Sequence, residues 1–381
     1  MTSILGGMAP AAFLRRHWQK RPLLVRQAVP GFRGIVGRDR FLRLATRADA
    51  TSRLVIEHPR RGRRARWERH DGPFAALESS MLPASHWTVL VHGIESLVPG
   101  GWELLRRFSF IPAARIDDLM VSYAADGGSV GAHDDRYDVF LLQGPGRRRW
   151  RIGTGGDRAR DPDAAIEVLA SFTPEKEWLL EPGDMLYLPP GVAHHGVAEG
   201  PCFTYSIGFL APSHSDLVQY FLGYLGERLA DGIDGEALYG DPDLRPPRNP
   251  LDIGDAMVDR VAAVLPRIHW DRADVADFLG RFLTRPAVRV RFTPPRRRLD
   301  PGEFARRLRG RGELRLALPS RGLVRGRRLF FNGEAYPAPP ATRRLFERLV
   351  GDRALPLPAR VDAATAARLH EWYAAGYLAP A

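Results

Sequence analysis

Two histidines and one aspartate occupy positions from which they could share a metal ion. His133 and Asp135 are two residues apart behind a glycine-rich approach, and His194 follows later, at the end of the run Pro189-Pro190-Gly191-Val192-Ala193. Residues at i and i+2 of an extended segment point to the same side, so both can contact one ion. Two imidazoles and one carboxylate, with the other coordination positions open, are typical of a non-haem Fe(II) oxygenase.

Each end of this pattern has an adjacent competitor for the metal. Asp134 lies between His133 and Asp135, and His195 follows His194 directly. The two-residue alternation of an extended chain favours Asp135 over Asp134, and the spacing favours His194 over His195.

Arg148 is predicted to point into the protein. Along Arg147 to Ile152, alternation places Arg148, Trp150 and Ile152 on one face, which is the more apolar one. A buried guanidinium needs an anionic partner. A dicarboxylate cosubstrate would supply one, because arginine pairs with carboxylate in a bidentate fork. An internal ion pair with Asp138 is the alternative.

Four further residues are candidates for contacts around the metal. Asp126, at the rim, could hold a cationic substrate side chain, although an aspartate before two glycines is also a common turn former. Tyr123 and Ser206 are candidates for contact with a cofactor, and Tyr137 for contact with the substrate. For each of these three hydroxyls, a place in the core is the alternative.

The elements that would position these residues are short strands separated by Gly/Pro turns between Asp118 and Leu210, which indicate a jelly roll. The predicted strands are Met120–Ala124, Tyr137–Gln143, Arg147–Ile152, Met185–Leu188 and Phe203–Leu210. Upstream, a helix from Ala11 to Gln19 precedes a strand at Leu23-Leu24-Val25.

The character of the chain changes after Pro212. Helical periodicity predicts helices over Asp216–Ala230, Ile253–Val264 and Arg272–Leu283, whose apolar stripes form a dimer interface or pack on the barrel. Beyond an Arg/Pro linker, a helix capped by Asp300 and a hairpin through Asn332-Gly333 resemble a winged helix. The predicted domains are therefore 1–212 (catalytic), 213–290 (helical, for dimerisation) and 291–381 (winged-helix-like).

Composition limits the location and the partners. The chain has 381 residues, of which 44% are hydrophobic and 26% charged, and a single cysteine, Cys202, which excludes an intrachain disulfide. With no apolar run near the ~20 residues of a membrane span and no signal peptide, we expect a cytoplasmic protein. The net charge of +12 favours a weak contact with RNA or the ribosome, or it reflects a bias toward arginine.

Residues 10–215 closely resemble the bacterial JmjC-type ribosomal oxygenases, a family of cupin-fold enzymes that use Fe(II) and 2-oxoglutarate. The resemblance rests on five strings: Trp18-Gln19-Lys20-Arg21-Pro22-Leu23-Leu24, Ile116 to Tyr123, His133 to Trp150, Pro182 to Gly191, and Tyr205-Ser206-Ile207-Gly208-Phe209. It weakens past residue 215, but the family also has a helical dimerisation region and a C-terminal winged helix, which implies a homodimer.

The resemblance implies a role for each matching residue. His133, Asp135 and His194 would bind Fe(II), Arg148 would bind the distal carboxylate of 2-oxoglutarate, and Asp126 would grip a substrate arginine. It implies that the chain uses O2 to hydroxylate an arginine of large-subunit ribosomal protein sixteen. The alternatives are hydroxylation of a histidine of another ribosomal protein, a non-catalytic cupin that binds the ribosome or RNA, and a metal cupin of another reaction class such as an isomerase.

Overall fold

The computed structural model describes residues 4–61, 64–77, 82–230, 238–246, 249–267, 269–357 and 361–380. Its N-terminal half is mainly β, with three short helices and two facing sheets. The helices are α1 (Pro10–Arg16), α2 (Arg38–Ala45) and α3 (Gly100–Leu105). The strands are β1 (Leu23–Val25), β2 (Thr51–His58), β3 (Arg66–Asp71), β4 (Trp87–His92), β5 (Ile116–Ala124), β6 (His133–Asp134), β7 (Val139–Gln143), β8 (Arg147–Gly153), β9 (Lys176–Leu180), β10 (Met185–Leu188), β11 (Ala193–Glu199) and β12 (Cys202–Phe209).

These strands form the predicted jelly roll. One sheet has eight strands in the order β1-β10-β7-β12-β5-β4-β2-β3, and the other has four in the order β6-β11-β8-β9. Strand β7 shows how the layers are built, because Val139 and Leu141 face the smaller sheet while Phe140 and Leu142 face the core on the other side. Burial on both faces explains why β7 is a continuous apolar run rather than an alternating one.

The C-terminal half contains six helices and two three-stranded sheets within the described residues. The helices are α4 (His214–Ala230), α5 (Asp255–Val264), α6 (Arg272–Thr284), α7 (Pro301–Leu308), α8 (Pro340–Asp352) and α9 (Ala363–Ala374). The sheets have the orders β17-β13-β18 and β14-β15-β16. Their strands are β13 (Glu313–Leu316), β14 (Gly322–Arg325), β15 (Arg328–Phe331), β16 (Glu334–Pro337), β17 (Ala354–Pro356) and β18 (Leu378–Pro380).

Two local signals in this half were predicted and are observed. Asp300 caps α7, since its side chain accepts the N–H of Glu303, whose carboxylate in turn accepts the N–H of Asp300. Asn332 and Gly333, both with positive φ, form the turn between β15 and β16.

Helix α6 connects the helical region to the C-terminal sheets. Phe278 packs on Phe221 of α4 at 5.3 Å between ring centroids. On its other side, Gly280 approaches Phe330 of β15 so closely that an added Cβ would lie 2.4 Å from the ring. The division at residue 290 therefore separates two elements in contact, and it remains a prediction.

The structure also differs from the predicted elements, most clearly at α1 and β11, while several other strands and helices begin a few residues from their predicted starts. Helix α1 ends at Arg16 rather than Gln19, which has a left-handed φ of 56°. Strand β11 was not predicted, since its sequence lacks an apolar alternation. None of the described helices is both long and apolar enough to cross a membrane.

Candidate metal centre and active site

The predicted metal ligands meet where the smaller sheet begins. Strands β6 and β11 pair antiparallel with His133 opposite His194, and Asp135 follows β6 directly. One ligand atom from each of the three residues lies within 4.8 Å of the others. The His194 Nε2 atom is 3.7 Å from Asp135 Oδ2. Pairing of the two strands therefore brings together residues that are far apart in the chain.

Backbone carbonyls orient both histidine rings. The Nδ1 atom of His133 lies 3.1 Å from the carbonyl oxygen of Gly131, and that of His194 lies 3.0 Å from the carbonyl oxygen of Val192. Because a carbonyl oxygen only accepts, each Nδ1 carries a proton, and Nε2 is the ring atom that can bind a metal. Such an outer hydrogen bond is usual for metal-binding histidines.

His194 is neutral at neutral pH. Burial, and then the neighbouring His133, lower the pKa of His194 to about 4. A buried neutral imidazole is the form that binds a metal. The two histidines and Asp135 thus suit Fe(II), and an ion there would keep open positions facing the cavity.

The two competing residues are turned away and have other partners. His195 Nε2 lies 3.1 Å from Ser129 Oγ on the opposite face of β11. Asp134 forms an ion pair with Arg160 at 2.5 Å. Alternation along both strands thus separates them from the three ligands.

Arg148 projects into a cavity of about 240 Å³ that the three metal ligands also line. The residue is only 3% exposed, and its Nε and Nη2 atoms have no hydrogen-bond partner among the described residues. The alternative partner, Asp138, instead accepts hydrogen bonds from the Tyr187 hydroxyl at 2.5 Å and from Gln19 Nε2 at 3.0 Å. An ion pair of Arg148 with Asp138 is therefore wrong, and the guanidinium suits the carboxylate of 2-oxoglutarate.

Of the other four predicted residues, two line the cavity and two do not. Ser206 and Tyr137 line the cavity. Tyr123 does not, because it lies on the opposite face of β5, where its ring packs 4.8 Å from that of Phe203. This placement gives no support to its predicted contact with a cofactor.

Asp126 does not line the cavity either. Its Oδ1 atom accepts the N–H of Gly200 at 2.7 Å, and its side chain is exposed. Gly200 lies 74 residues further along the chain, so this hydrogen bond joins two loops rather than forming the local Asp–Gly turn that the following glycines suggested. The placement gives no support to a contact between Asp126 and a substrate arginine.

Asp118 and Thr204 are among the polar cavity residues that sequence reasoning missed. The buried Thr204 Oγ1 has no hydrogen-bond partner within the described part of the chain. Asp118 shares the inner face of β5 with Met120 and Ser122, and this alternation was a signal available in the sequence.

Comparison with known proteins agrees with this geometry. Residues 103–217 match the JmjC domain family, and residues 267–379 match the ROXA-like winged helix family. The Escherichia coli (strain K12) protein named ribosomal protein uL16 3-hydroxylase is 32% identical over 329 residues, which cover 86% of this chain and 85% of that protein. A probable ribosomal oxygenase from Haemophilus influenzae is 37% identical over 62% of this chain and 55% of its own length.

The whole fold also has a solved counterpart. YcfD, a ribosomal oxygenase from Escherichia coli, was solved in complex with cobalt and 2-oxoglutarate. It superposes with a TM-score of 0.78 at 30% sequence identity, over 98% of each chain. With these similarities, the three assembled ligands and the unpaired Arg148, the chain belongs to the JmjC-type ribosomal oxygenases, dioxygenases that use Fe(II) and 2-oxoglutarate.

Proposed function

We propose that this enzyme hydroxylates an arginine side chain of ribosomal protein uL16, the large-subunit protein sixteen. The E. coli relative named as a uL16 3-hydroxylase supports the protein substrate. The observation that carries the choice of arginine is a carboxylate, Asp118, at the mouth of the cavity beside an aromatic ring, Tyr137.

The hydrogen bonds that the Asp118 carboxylate makes with described residues all go to Oδ2, which leaves Oδ1 for a substrate. Its Oδ2 atom lies 3.0 Å from His92 Nδ1 and accepts the N–H of Gly93 at 3.2 Å. Gly208 has no side chain to fill the gap beside the other oxygen, and a Cβ there would be in van der Waals contact with Asp118 Oδ1, at 3.5 Å, and with the Tyr137 ring, at 3.9 Å. A planar guanidinium fits such a gap, because it can bond to a carboxylate and stack on an aromatic face.

The remaining cavity residues position the cosubstrate. His133, Asp135 and His194 would hold Fe(II), and Arg148 would hold the distal carboxylate of 2-oxoglutarate. When bound, iron and 2-oxoglutarate supply the oxidising chemistry with O2, as is general for such cofactors. The chain itself orients the reactants and excludes water, for which the buried Trp150 and Leu141 provide apolar walls.

Mass spectrometry of a uL16 fragment incubated with the enzyme, Fe(II), 2-oxoglutarate and air tests the proposal. We expect a gain of one oxygen on an arginine that is absent without 2-oxoglutarate. Modification of a histidine instead would favour the alternative substrate, to which a carboxylate at the cavity mouth is less suited. Formation of succinate with an unmodified fragment would reject uL16 as the substrate.

Comparing Asp118→Asn with Asp126→Asn tests which of the two carboxylates contacts the substrate guanidinium. We expect Asp118→Asn to lower kcat/KM for the uL16 fragment about 10- to 100-fold, the usual cost of losing a hydrogen bond to a charged group. Oxidation of 2-oxoglutarate without the fragment should be unchanged. The matched variant Asp126→Asn should keep the fragment activity; loss there and not at position 118 would reassign the contact to Asp126.

We further propose a homodimer that works in the cytoplasm, where its ribosomal substrate is made. The exposed apolar side chains of α4 and α5 support the dimer, for example Leu222 at 59% and Val258 at 52% exposure. The predicted weak contact with RNA rests on the net charge of +12 alone. The three-part division into 1–212, 213–290 and 291–381 stays part of this proposal.

A further inference from the structure

A second cavity adjoins the catalytic cavity. Its volume is about 430 Å³, within the range of about 300–1,000 Å³ that is typical of ligand pockets. Four residues line both cavities: His92, Asp118, Tyr137 and Gly208. The two spaces are therefore separated only by the residues that form the gap for the guanidinium.

The far wall of the second cavity comes from the C-terminal half. The segment 285–291 contributes Arg285, Ala287, Arg289 and Arg291, and the turn before β14 contributes Pro319 and Arg321. The catalytic half contributes carboxylates to the opposite wall, among them Asp117 and Glu95. The cavity is thus a cleft between two parts of the chain, with cationic and anionic walls.

Specific contacts fix the position of the far wall. Arg321 forms an ion pair with the buried Glu95 at 3.2 Å and donates to the carbonyl oxygen of Asp117. The Trp102 Nε1 atom donates to the carbonyl oxygen of Leu318 at 2.7 Å. The second oxygen of Glu95 accepts the N–H of Leu119 at 3.0 Å, next to Asp118 in β5. The cleft is therefore a preformed part of the structure rather than a gap between two loose units.

The cationic wall has capacity for a ligand. Arg285, Arg289 and Arg291 form no ion pair with the residues that the structure describes. Arg289 donates to the carbonyl oxygen of Gly72 at 3.3 Å, and Arg291 Nη1 donates to those of Val288 and Val290 at 2.8 and 2.9 Å, which leaves its other nitrogens for a ligand. A polypeptide brings carbonyl oxygens and N–H groups that can bond to both walls. A protein substrate whose side chain enters the catalytic cavity must also leave its backbone somewhere at the cavity mouth.

We propose that the second cavity binds the substrate polypeptide on one side of the hydroxylated residue, so that segment 285–291 and Arg321 belong to the substrate-binding cleft. The inference rests on the proposed function, that is, on a protein substrate held at Asp118. It assigns the C-terminal half a role in substrate binding.

Filling the cleft tests the proposal without removing a contact. Ala287 is exposed and lines the cavity, whereas the next residue, Val288, is 91% exposed and does not. We would compare Ala287→Trp with Val288→Trp in the full chain, using a uL16 fragment of about 20 residues centred on the target arginine. Thermal unfolding and oxidation of 2-oxoglutarate without the fragment would show that both variants fold and keep the metal centre.

We expect Ala287→Trp to raise KM for the fragment about tenfold with kcat little changed, as when binding shared by ground and transition states is lost. Val288→Trp should behave as the wild type. A tripeptide centred on the target arginine should be processed equally well by all three proteins. Equal KM values of the two tryptophan variants for the long fragment would overturn the proposal that this cleft binds the substrate. A wild-type enzyme inactive on any uL16 fragment would instead overturn the proposed function and this inference with it.

Discussion

At the scale of single residues, Arg148 shows that a side chain needed for function can lower the stability of the fold. Its guanidinium is buried, and two of its nitrogen atoms are unpaired within the described part of the chain, so the cofactor-free protein bears the desolvation of a cation that no described carboxylate pairs with. The bound dicarboxylate would supply that partner. Stability and cosubstrate binding therefore respond in opposite directions to its removal.

Arg148→Met is accordingly expected to raise the free energy of unfolding of the cofactor-free protein by about 1–3 kcal/mol. The same substitution should abolish saturable binding of 2-oxoglutarate. Urea denaturation and titration with 2-oxoglutarate measure the two effects. Arg151→Met is the matched control, because Arg151 lies on the outer face of β8 in a surface ion pair with Glu177. A destabilised Arg148→Met protein would show that an internal anion already pairs with the guanidinium.

The buried ring of His194 makes stability depend on pH. Its pKa is about 4 in the folded protein against an ordinary value of 6.5, so between these values the unfolded chain binds more protons. Stability contributed by the neutral ring is present above pH 6.5 and is lost as the pH falls toward 4. At pH 5 the loss from this residue is about 2 kcal/mol.

We therefore expect the free energy of unfolding of the metal-free wild type to fall by about 2 kcal/mol more between pH 7 and pH 5 than that of His194→Gln does. Urea denaturation with a chelator present measures both proteins. His214→Gln replaces an exposed histidine, so its free energy of unfolding should fall by as much as that of the wild type. The same loss in His194→Gln as in the wild type would assign the pH dependence to other groups.

At the scale of elements, strands β8 and β11 are packed so closely at Gly196 and Trp150 that no side chain fits between them. Gly196 pairs with Trp150, and a Cβ on Gly196 would lie 2.7 Å from the Trp150 ring. That ring packs 5.8 Å from the His194 ring and 5.8 Å from the Arg148 guanidinium carbon. Displacing Trp150 therefore disturbs the metal site and the cosubstrate site together.

Gly196→Ala should reduce the free energy of unfolding by about 1–3 kcal/mol, the usual cost of overpacking, and weaken metal binding. Thermal unfolding and titration with Co(II) would measure these two effects. The control is Gly223→Ala in α4, where an added Cβ meets nothing within 4 Å and helix propensity improves by about 1 kcal/mol. Unchanged metal affinity in Gly196→Ala would mean that Trp150 shifts without moving His194.

The same scale shows what the sequence could predict. The inward face of β8 and the helix N-cap at Asp300 follow from local patterns, and the structure contains both. Strand β11 depends on pairing with β6 and β8, which no local pattern records. Asp118 was missed because both faces of β5 are covered, so alternation separates the face of Asp118 from that of Tyr123 without telling which one lines the cavity.

At the scale of the whole molecule, α5 exposes its apolar side chains in the part of the monomer that the structure describes. None of its residues is buried. Met257, Val258, Val261 and Val264 are each between 46% and 52% exposed. Leu222 and Val218 of α4 add further exposed apolar area. Contiguous exposed apolar surface marks an interaction site, and a second copy of the chain is the partner that we propose for it.

A charge on this face should separate the two copies. We expect Val261→Glu to convert the dimer to a monomer in sedimentation equilibrium at micromolar concentration, because burying a carboxylate in an apolar interface is costly unless the charge is paired. Ala263→Glu adds the same charge about 200° around the helix, given 100° per residue, and should remain dimeric. Both residues are exposed, so neither substitution should unfold the chain. A monomeric wild type, or a Val261→Glu protein as dimeric as Ala263→Glu, would show that the face of α5 does not join two copies.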